Sequence, residues 1–312
     1  MQTRSLGSTG LEISAVGFGA WALGGGGYEW GWGPQDDADS IAAIHRALEL
    51  GVNWIDTAPI YGFGHSEEVV GRALAGMSEK PFVFSKCGLE GIDGASVNEL
   101  KAATIERQCE DSLRRLQIEA IDLLQIHWPD PEEDIEEGWA ACVACLTLGK
   151  VKHIGVCNFN IEQLRRIGAL ATVETLQPPY SLIKRDIEAE ILPYCAAERI
   201  GVIVYSPMAS GLLTGSFSAE RVASLPEDDF RSRAPHFQEP QLSGNLAAAE
   251  RLRELGERHG ASPGATAVAW ALRNPVVTGA IVGFRRADQV DGILPAAGEL
   301  VLGAEEVAFV EG

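Results

Sequence analysis

The sequence predicts an α/β protein, a (β/α)8 TIM barrel with a short N-terminal β-hairpin and a long loop after the seventh barrel strand. Three observations carry this expectation. Short apolar runs rich in Val and Ile alternate with helix-like segments along the chain. The runs number eight. The chain has 312 residues, a length that suits one closed barrel of eight such units better than an open doubly wound sheet. Alternating strand and helix implies parallel strands joined by helical crossovers, and strands buried on both faces read as continuous apolar runs. Residues 1–312 are therefore expected to form a single domain.

The elements follow in order. TRSLGSTGLEIS near the start reads as a hairpin around Gly7 and Gly10, outside the barrel count,. The strands are expected at 14–19, 53–56, 82–86, 121–126, 151–156, 173–177, 201–206 and 279–283,. Between them lie the helices. The segment 36–50 opens with acids and stops before Gly51, which matches the helix dipole and a glycine end,. Ser66 is expected to cap a helix begun by Glu67 and Glu68,. Further helices are expected at 97–116, 135–148, 161–170, 187–199, 245–259 and 287–297,. Ser262-Pro263 is a cap followed by proline at the first helical position, opening a helix towards Asn274,. The longest irregular segment, 207–243, is long enough to imply a functional loop,.

Composition excludes several classes. Lys plus Arg is 25 against 44 Asp plus Glu, a net charge of −19. That argues against nucleic acid or an anionic membrane as partner. There is no apolar stretch of signal-peptide or membrane-spanning length, so a cytoplasmic location is expected,. Cys142 and Cys145 form a C-x-x-C, but no second pair or nearby histidine completes four zinc ligands; a buried helix face is expected instead,. The histidines at 45, 65, 153, 236 and 259 lack metal-binding spacing, and no metal is assigned,. The acids of 132–137 and of 228–229 read as solvated helix starts and turns,.

The chemistry gathers at the strand ends, which in a parallel barrel open on one face. The second strand ends in Asp56, the third in Lys86, and the fourth delivers His127; Tyr61 follows on the loop after the second. A nearby ammonium favours phenolate, so Lys86 is expected to lower the Tyr61 pKa, with Asp56 holding the lysine charged. His127 can hydrogen-bond a substrate oxygen. Such a set suits protonation of an oxygen that becomes negative, as when a carbonyl receives hydride.

The segments NWIDTAPIYGFGHSEEVVGRAL, FVFSK, IDLLQIHWPD, GVCNF and VYSPMASGLLTG resemble the aldo-keto reductase superfamily over nearly the whole chain. The Asp-Tyr-Lys-His tetrad of that family maps onto Asp56, Tyr61, Lys86 and His127. The resemblance implies reduction of a small aldehyde or ketone, with Tyr61 as proton donor and NADPH, ahead of NADH, as cofactor. It implies a nicotinamide site at Cys157, Asn158 and Gln177, with Tyr205 stacked on the ring and Trp21 and Asp56 also in contact. It implies that Ser206, Pro207, Met208, Ser210, Gly211 and Leu212 wrap the pyrophosphate. Gly283, Arg285 and Gln289 would surround the adenosine phosphate, where an arginine can grip a 2′-phosphate bidentately. The Gly-rich LGGGGYEWGWG lacks the lysine of a phosphate loop and is read as a flexible loop or as a pocket wall,. Trp30, Trp32 and Trp128 are expected to bound the substrate.

Three positions depart from the family pattern. Cys157 stands where Ser is common, Ser216 where a basic residue often follows L-T-G, and Val282 where Pro often precedes the last strand's glycine. Two other readings compete. The same fold can serve as a nucleotide-sensing regulatory module with vestigial turnover. A glycosidase using Asp56 and Asp130 would leave Lys86 and Tyr61 without a role.

Overall fold

The computed structural model describes residues 1–312 except Asp228, so one of the two acids at 228–229 lies outside the described residues. The strands are β1 (Thr3–Ser5), β2 (Glu12–Ser14), β3 (Val16–Gly19), β4 (Trp54–Asp56), β5 (Phe82–Cys87), β6 (Leu89–Ile92), β7 (Ala95–Asn98), β8 (Leu123–Ile126), β9 (Ile154–Cys157), β10 (Thr175–Gln177), β11 (Gly201–Val204) and β12 (Val277–Gly283). Eight of them, β3, β4, β5, β8, β9, β10, β11 and β12, close into a parallel barrel, each beside its predecessor, with β12 pairing back onto β3. These eight fall on the eight apolar runs. The chain opens with the antiparallel β1–β2 hairpin, as expected.

The helices are α1 (Asp37–Glu49), α2 (His65–Leu74), α3 (Ala102–Leu116), α4 (Ile135–Thr147), α5 (Ile161–Gly168), α6 (Ile191–Glu198), α7 (Ala219–Ala223), α8 (Gln241–His259), α9 (Pro263–Leu272), α10 (Ala287–Ala297) and α11 (Ala304–Glu311). Asp36 caps α1 by accepting from Ala38 N at 2.7 Å and Asp39 N at 3.1 Å. Ser262 caps α9 with proline at its first position. Among the described residues no helix is long and apolar enough to cross a membrane.

Period-two alternation explains where the core ends and the site begins. Along the barrel strands one set of side chains faces the helices. The other fills the barrel interior in layers. Trp54, Phe84, Leu123, Ile203 and Ile281 form one apolar cluster together with Leu6 and Ile13 of the N-terminal hairpin. Two residues further along the same strands, the inward positions turn polar: Asp56 after Trp54, Lys86 after Phe84, Gln125 after Leu123. The Trp54 indole has space because Gly17 faces it, where a Cβ would meet the ring at 2.2 Å.

Four expectations need correction. Ser66 does not cap α2; Gly64 precedes the helix with φ of 102°, and the Ser66 hydroxyl, fully buried, donates to Ala20 O at 2.8 Å. The helix expected from 97 starts at Ala102, because residues 95–98 pair with 89–92 in a second antiparallel hairpin. The helix expected over 187–199 is a 3-10 turn, Asp186–Glu188, followed by the shorter α6. The C-terminal helix α11 has no counterpart in the sequence reading. The long segment 207–243 carries its own apolar anchors, Phe230 and Phe237, both buried.

Candidate active site

Lys86 extends from β5 into the barrel axis, where its Nζ donates to Asp56 Oδ1 at 2.5 Å and to Thr57 O at 3.0 Å. Both partners are almost fully buried. The second carboxylate oxygen of Asp56 accepts from Gln177 Nε2 at 2.8 Å, and that nitrogen also reaches Gln125 Oε1 at 3.3 Å. The buried charges of Lys86 and Asp56 are thereby paired and hydrogen-bonded on top of the apolar interior, while Gln125 Nε2 has no partner within the protein,. Burial alone would lower the Lys86 pKa, but the Asp56 carboxylate and the Tyr61 phenol reverse it, and the net shift is upward.

Tyr61 stands above this pair, its ring centroid 5.2 Å from Lys86 Nζ. The turn that presents it is held from several sides. Gly62 adopts φ of 62° and packs so closely on Gly24 that a Cβ would lie 2.3 Å from Gly24 O,. The next helix is pinned by Glu67, fully buried, which accepts from Ser85 Oγ at 2.6 Å and Arg115 Nε at 2.7 Å. The expectation for the phenol's acidity is corrected. Lys86 does pull the Tyr61 pKa down, but burial outweighs it, and the pKa is pushed up to about 12. His127, edge-on to the Tyr61 ring at 5.8 Å between centroids, is driven well below the ordinary imidazole pKa by burial and by the lysine charge. Its ring is neutral at physiological pH and free to donate one hydrogen bond.

The tetrad opens into a cavity of about 780 Å³ at the barrel mouth. Asp56, Tyr61 and His127 line it, with Lys86 just beneath. Asn158, Gln177 and Tyr205 line it as expected; the Tyr205 hydroxyl donates to Asn158 Oδ1 at 2.9 Å, and Asn158 Nδ2 donates to His127 O at 2.9 Å. Ser206, Pro207, Met208, Ser210 and Gly211 form a further wall. Asn158, Ser206 and Ser210 all hold positive φ, backbone strain of the kind that collects at functional sites,. Two expected residues stand elsewhere. Leu212 is fully buried in the main core and does not line the cavity. Cys157 is also buried and absent from the lining, since its strand-end side chain lies below the mouth.

The Gly-rich segment is a wall. Trp21, Trp30 and Trp32 all line the cavity, as does Trp128 on the opposite side. Trp21 stacks over Tyr61 at 6.2 Å and meets Phe230 of the long loop at 4.9 Å, and Phe230 also packs on Trp32 at 5.0 Å. Phe230 was not singled out in the sequence, because an isolated Phe in an irregular segment carries no periodic signal.

The distal end is built by Gly283, Arg285 and Gln289 together with the residues that open α9. Arg285 differs from the expected phosphate grip. Its Nε donates to Gln35 Oε1 at 2.6 Å, Nη1 to Trp32 O at 3.3 Å and Nη2 to Pro34 O, so its guanidinium straps the Gly-rich wall. Arg286 pairs with Asp288 on the surface. Arg231 forks onto Asp229. Arg221, which the sequence reading passed over, lines the same cavity; its guanidinium lies 4.7 Å over the Phe217 ring and donates to Ser216 O at 2.6 Å. It has no carboxylate partner among the described residues.

These residues suit a nicotinamide dinucleotide. Gln177 spends its amide nitrogen on Asp56 and Gln125, which leaves its carbonyl oxygen to accept from a carboxamide. Tyr205 offers an aromatic face, and the cavity runs on from the tetrad to the arginine-lined end.

Comparison with known proteins agrees with this geometry. A family model described as "Aldo/keto reductase family" matches residues 15–312. Aldo-keto reductase YhdN of Bacillus subtilis (strain 168) is 38% identical over 301 residues, spanning 96% of this chain and 89% of that protein. Among solved structures, the glycerol dehydrogenase AKR11B4 from Gluconobacter oxydans superposes with a TM-score of 0.88 at 40% identity, covering 99% of this chain and 93% of that one. An aldo/keto reductase from Klebsiella pneumoniae, in complex with NADP and acetate, superposes with a TM-score of 0.76 at 25% identity, over 100% of this chain and 95% of that one.

Proposed function

Because the chain belongs to the aldo/keto reductase family, oxidoreductases of carbonyl and alcohol groups, we propose that it reduces an aldehyde or ketone to the alcohol at the expense of NADPH. The observation that carries this reading is the meeting of Tyr61, His127 and the buried Lys86–Asp56 pair at one wall of a single cavity.

When bound, the dinucleotide supplies a hydride to the carbonyl carbon. The chain's own residues manage the oxygen. Neutral His127 donates a hydrogen bond that orients the carbonyl, and the Tyr61 hydroxyl delivers a proton as negative charge develops there. Lys86, whose Nζ lies 5.2 Å from the Tyr61 ring centroid, stabilises the phenolate left behind,. Asp56 keeps the ammonium in place. Gln177 and Asn158 are the proposed carboxamide partners, and the wall from Ser206 to Gly211 borders the pyrophosphate.

The preference for NADPH over NADH rests on Arg221. Ser216 stands where the family often has a basic residue, and the Arg221 guanidinium donates to the Ser216 carbonyl. It thus brings a cation back to that point of the wall, with donors left over for a phosphate. One such catalytic unit over residues 1–312, acting on small molecules in the cytoplasm, is the organisation this reading assumes.

The test is a titration of the purified protein with NADPH and NADH, followed by tryptophan fluorescence, with loss of the reduced-nicotinamide absorbance read on adding an aromatic aldehyde. Tight NADPH binding with turnover supports the proposal. Tight binding without turnover across a panel of carbonyls would move the protein to the nucleotide-sensing role, and failure to bind either dinucleotide would end both.

A further inference from the structure

The three residues that follow Tyr61 all hold positive φ: Gly62 at 62°, Phe63 at 53° and Gly64 at 102°. Glycine takes that conformation freely, but a bulky aromatic residue rarely does, and such strain persists only where the surroundings impose it. Phe63 is also 44% exposed, so burial of the whole side chain is not what holds it there.

The contacts of its ring are. The Phe63 ring lies between two walls of the cavity mouth. On one side is Tyr28 of the Gly-rich segment, at 5.5 Å between ring centroids. Tyr28 is itself buried, and its hydroxyl meets the Gly62 backbone. On the other side is Gly91 of β6, where a Cβ would meet the Phe63 ring at 2.1 Å. Position 91 therefore accepts the ring only because it carries no side chain. Leu89 shares a face of β6 with Gly91, two residues apart. It belongs to the small apolar cluster with Ala58 and Ile60 against which Tyr61 packs. One face of the β6–β7 hairpin thus braces the turn twice, with Leu89 beside Tyr61 and Gly91 beside Phe63.

The two ends of the same stretch are fastened to neighbouring residues of β5. Asp56 accepts from Lys86, and Glu67 accepts from Ser85 at 2.6 Å. Tyr61 lies midway between those ends, on the part of the arch that the two bonds do not reach. We propose that Phe63 is a positioning residue for the proton donor: wedged between Tyr28 and Gly91, its ring holds the turn so that the Tyr61 phenol stays in register with Lys86 and His127. The Tyr61 ring centroid lies 5.2 Å from Lys86 Nζ and 5.8 Å from that of His127. Proton delivery depends steeply on such geometry, and a displacement of about 1 Å costs about 10²-fold. Without the ring, a backbone with three left-handed residues in succession relaxes and carries Tyr61 with it,.

This inference rests on the reductase reading, and the experiment separates the two. Single-turnover hydride transfer is measured from the preferred dinucleotide to the carbonyl that the wild type turns over fastest, beside the dinucleotide dissociation constant and the KM for that carbonyl. Phe63→Ala removes the ring, Phe63→Tyr keeps it, and Gly91→Ala displaces it from the far side without touching Tyr61. The transfer rate should fall by about ten- to a hundredfold in Phe63→Ala and in Gly91→Ala, and stay within about threefold in Phe63→Tyr. The dissociation constant and KM should stay within about twofold, since the phenol acts in the transition state. In a Tyr61→Phe background, Phe63→Ala should lower the residual rate no further, because its effect passes through the phenol. A general structural lesion would lower the rate by the same factor in both backgrounds. Transfer within about twofold of wild type in both Phe63→Ala and Gly91→Ala overturns the inference and leaves the reductase reading intact. So does an equal fractional loss with and without the Tyr61 hydroxyl, or a Phe63→Tyr rate as low as that of Phe63→Ala. No oxidation of NADPH or NADH by the wild type across a panel of carbonyls overturns both.

Discussion

Lys86 Nζ and Asp56 Oδ1 lie 2.5 Å apart inside the barrel, with side-chain exposures of 1% and 4%. Neither charge has bulk water to fall back on. The pair is completed by Thr57 O on the lysine and Gln177 on the carboxylate. It forms the floor on which Tyr61 and His127 stand.

Removal of one partner should therefore strand the other. Asp56→Ala leaves a buried ammonium without its counter-charge and should cost about 3–5 kcal/mol of stability. Asp56 is the foremost of the groups that push the Lys86 pKa up, so in the variant burial is opposed less and the lysine pKa falls,. Urea unfolding monitored by tryptophan fluorescence checks the first effect. A loss below about 1 kcal/mol would mean the lysine finds another partner.

Tyr61→Phe keeps the ring that stacks beneath Trp21 and removes only the hydroxyl. The rate of carbonyl reduction should fall by about 10²- to 10⁴-fold. The dissociation constant for NADPH should stay within about twofold, because no dinucleotide contact is assigned to the hydroxyl. Stopped-flow turnover beside a fluorescence titration reads both. Retained turnover would remove the phenol as proton donor.

The pH profile follows from two shifts. With its pKa pushed up to about 12, Tyr61 stays protonated through neutrality. Reduction consumes the protonated phenol, so the chemical step should be flat between about pH 6 and about pH 9. Alcohol oxidation consumes the phenolate, whose fraction rises about tenfold per unit below the pKa, so that direction should climb with pH. His127, held neutral well below the ordinary imidazole range, should add no break near its usual pKa. A reductive limb that decays above about pH 7 would show that the lysine prevails over burial.

The arginines should separate in cofactor selectivity. Arg221→Ala should weaken NADPH by about tenfold while changing NADH little, because loss of a cation at a phosphate costs about one charge-assisted hydrogen bond. Arg285→Ala should weaken both dinucleotides alike, since that guanidinium holds Gln35 and the Trp32 and Pro34 carbonyls. Calorimetric titration of both variants decides. The reverse pattern would return the 2′-phosphate to Arg285.

Gly17→Ala tests the barrel interior. The new Cβ would meet the Trp54 ring at 2.2 Å, and the indole is fixed by its own bond to Ser14 O at 2.8 Å. Overpacking should cost about 1–3 kcal/mol, read as a lowered midpoint in thermal unfolding. An unchanged midpoint would show that the indole can turn.

The barrel and the tetrad were legible in the chain because both depend on local periodicity. Runs such as FVFSK and IDLLQIH fix an alternation of side chains, and the polar residue closing each run must emerge at the mouth. Asp56, Lys86 and His127 follow from that rule, and Tyr61 from the turn beside it. The β6–β7 hairpin did not follow from it. Its strands are short and largely exposed, with Ile92 and Val97 turned to solvent, so they carry no apolar pattern and Val97 reads as a helix start. What the tertiary structure alone decided are balances among groups far apart in sequence. Burial outweighs Lys86 at the Tyr61 phenol. Arg285 is taken up by Gln35, 250 residues away, while Arg221 has no carboxylate partner among the described residues. Ser96 and Asn98 line the same cavity as Trp32 only because the barrel closes. Local pattern determines which groups reach the mouth; competition for partners across the closed barrel determines which of them remain free to act.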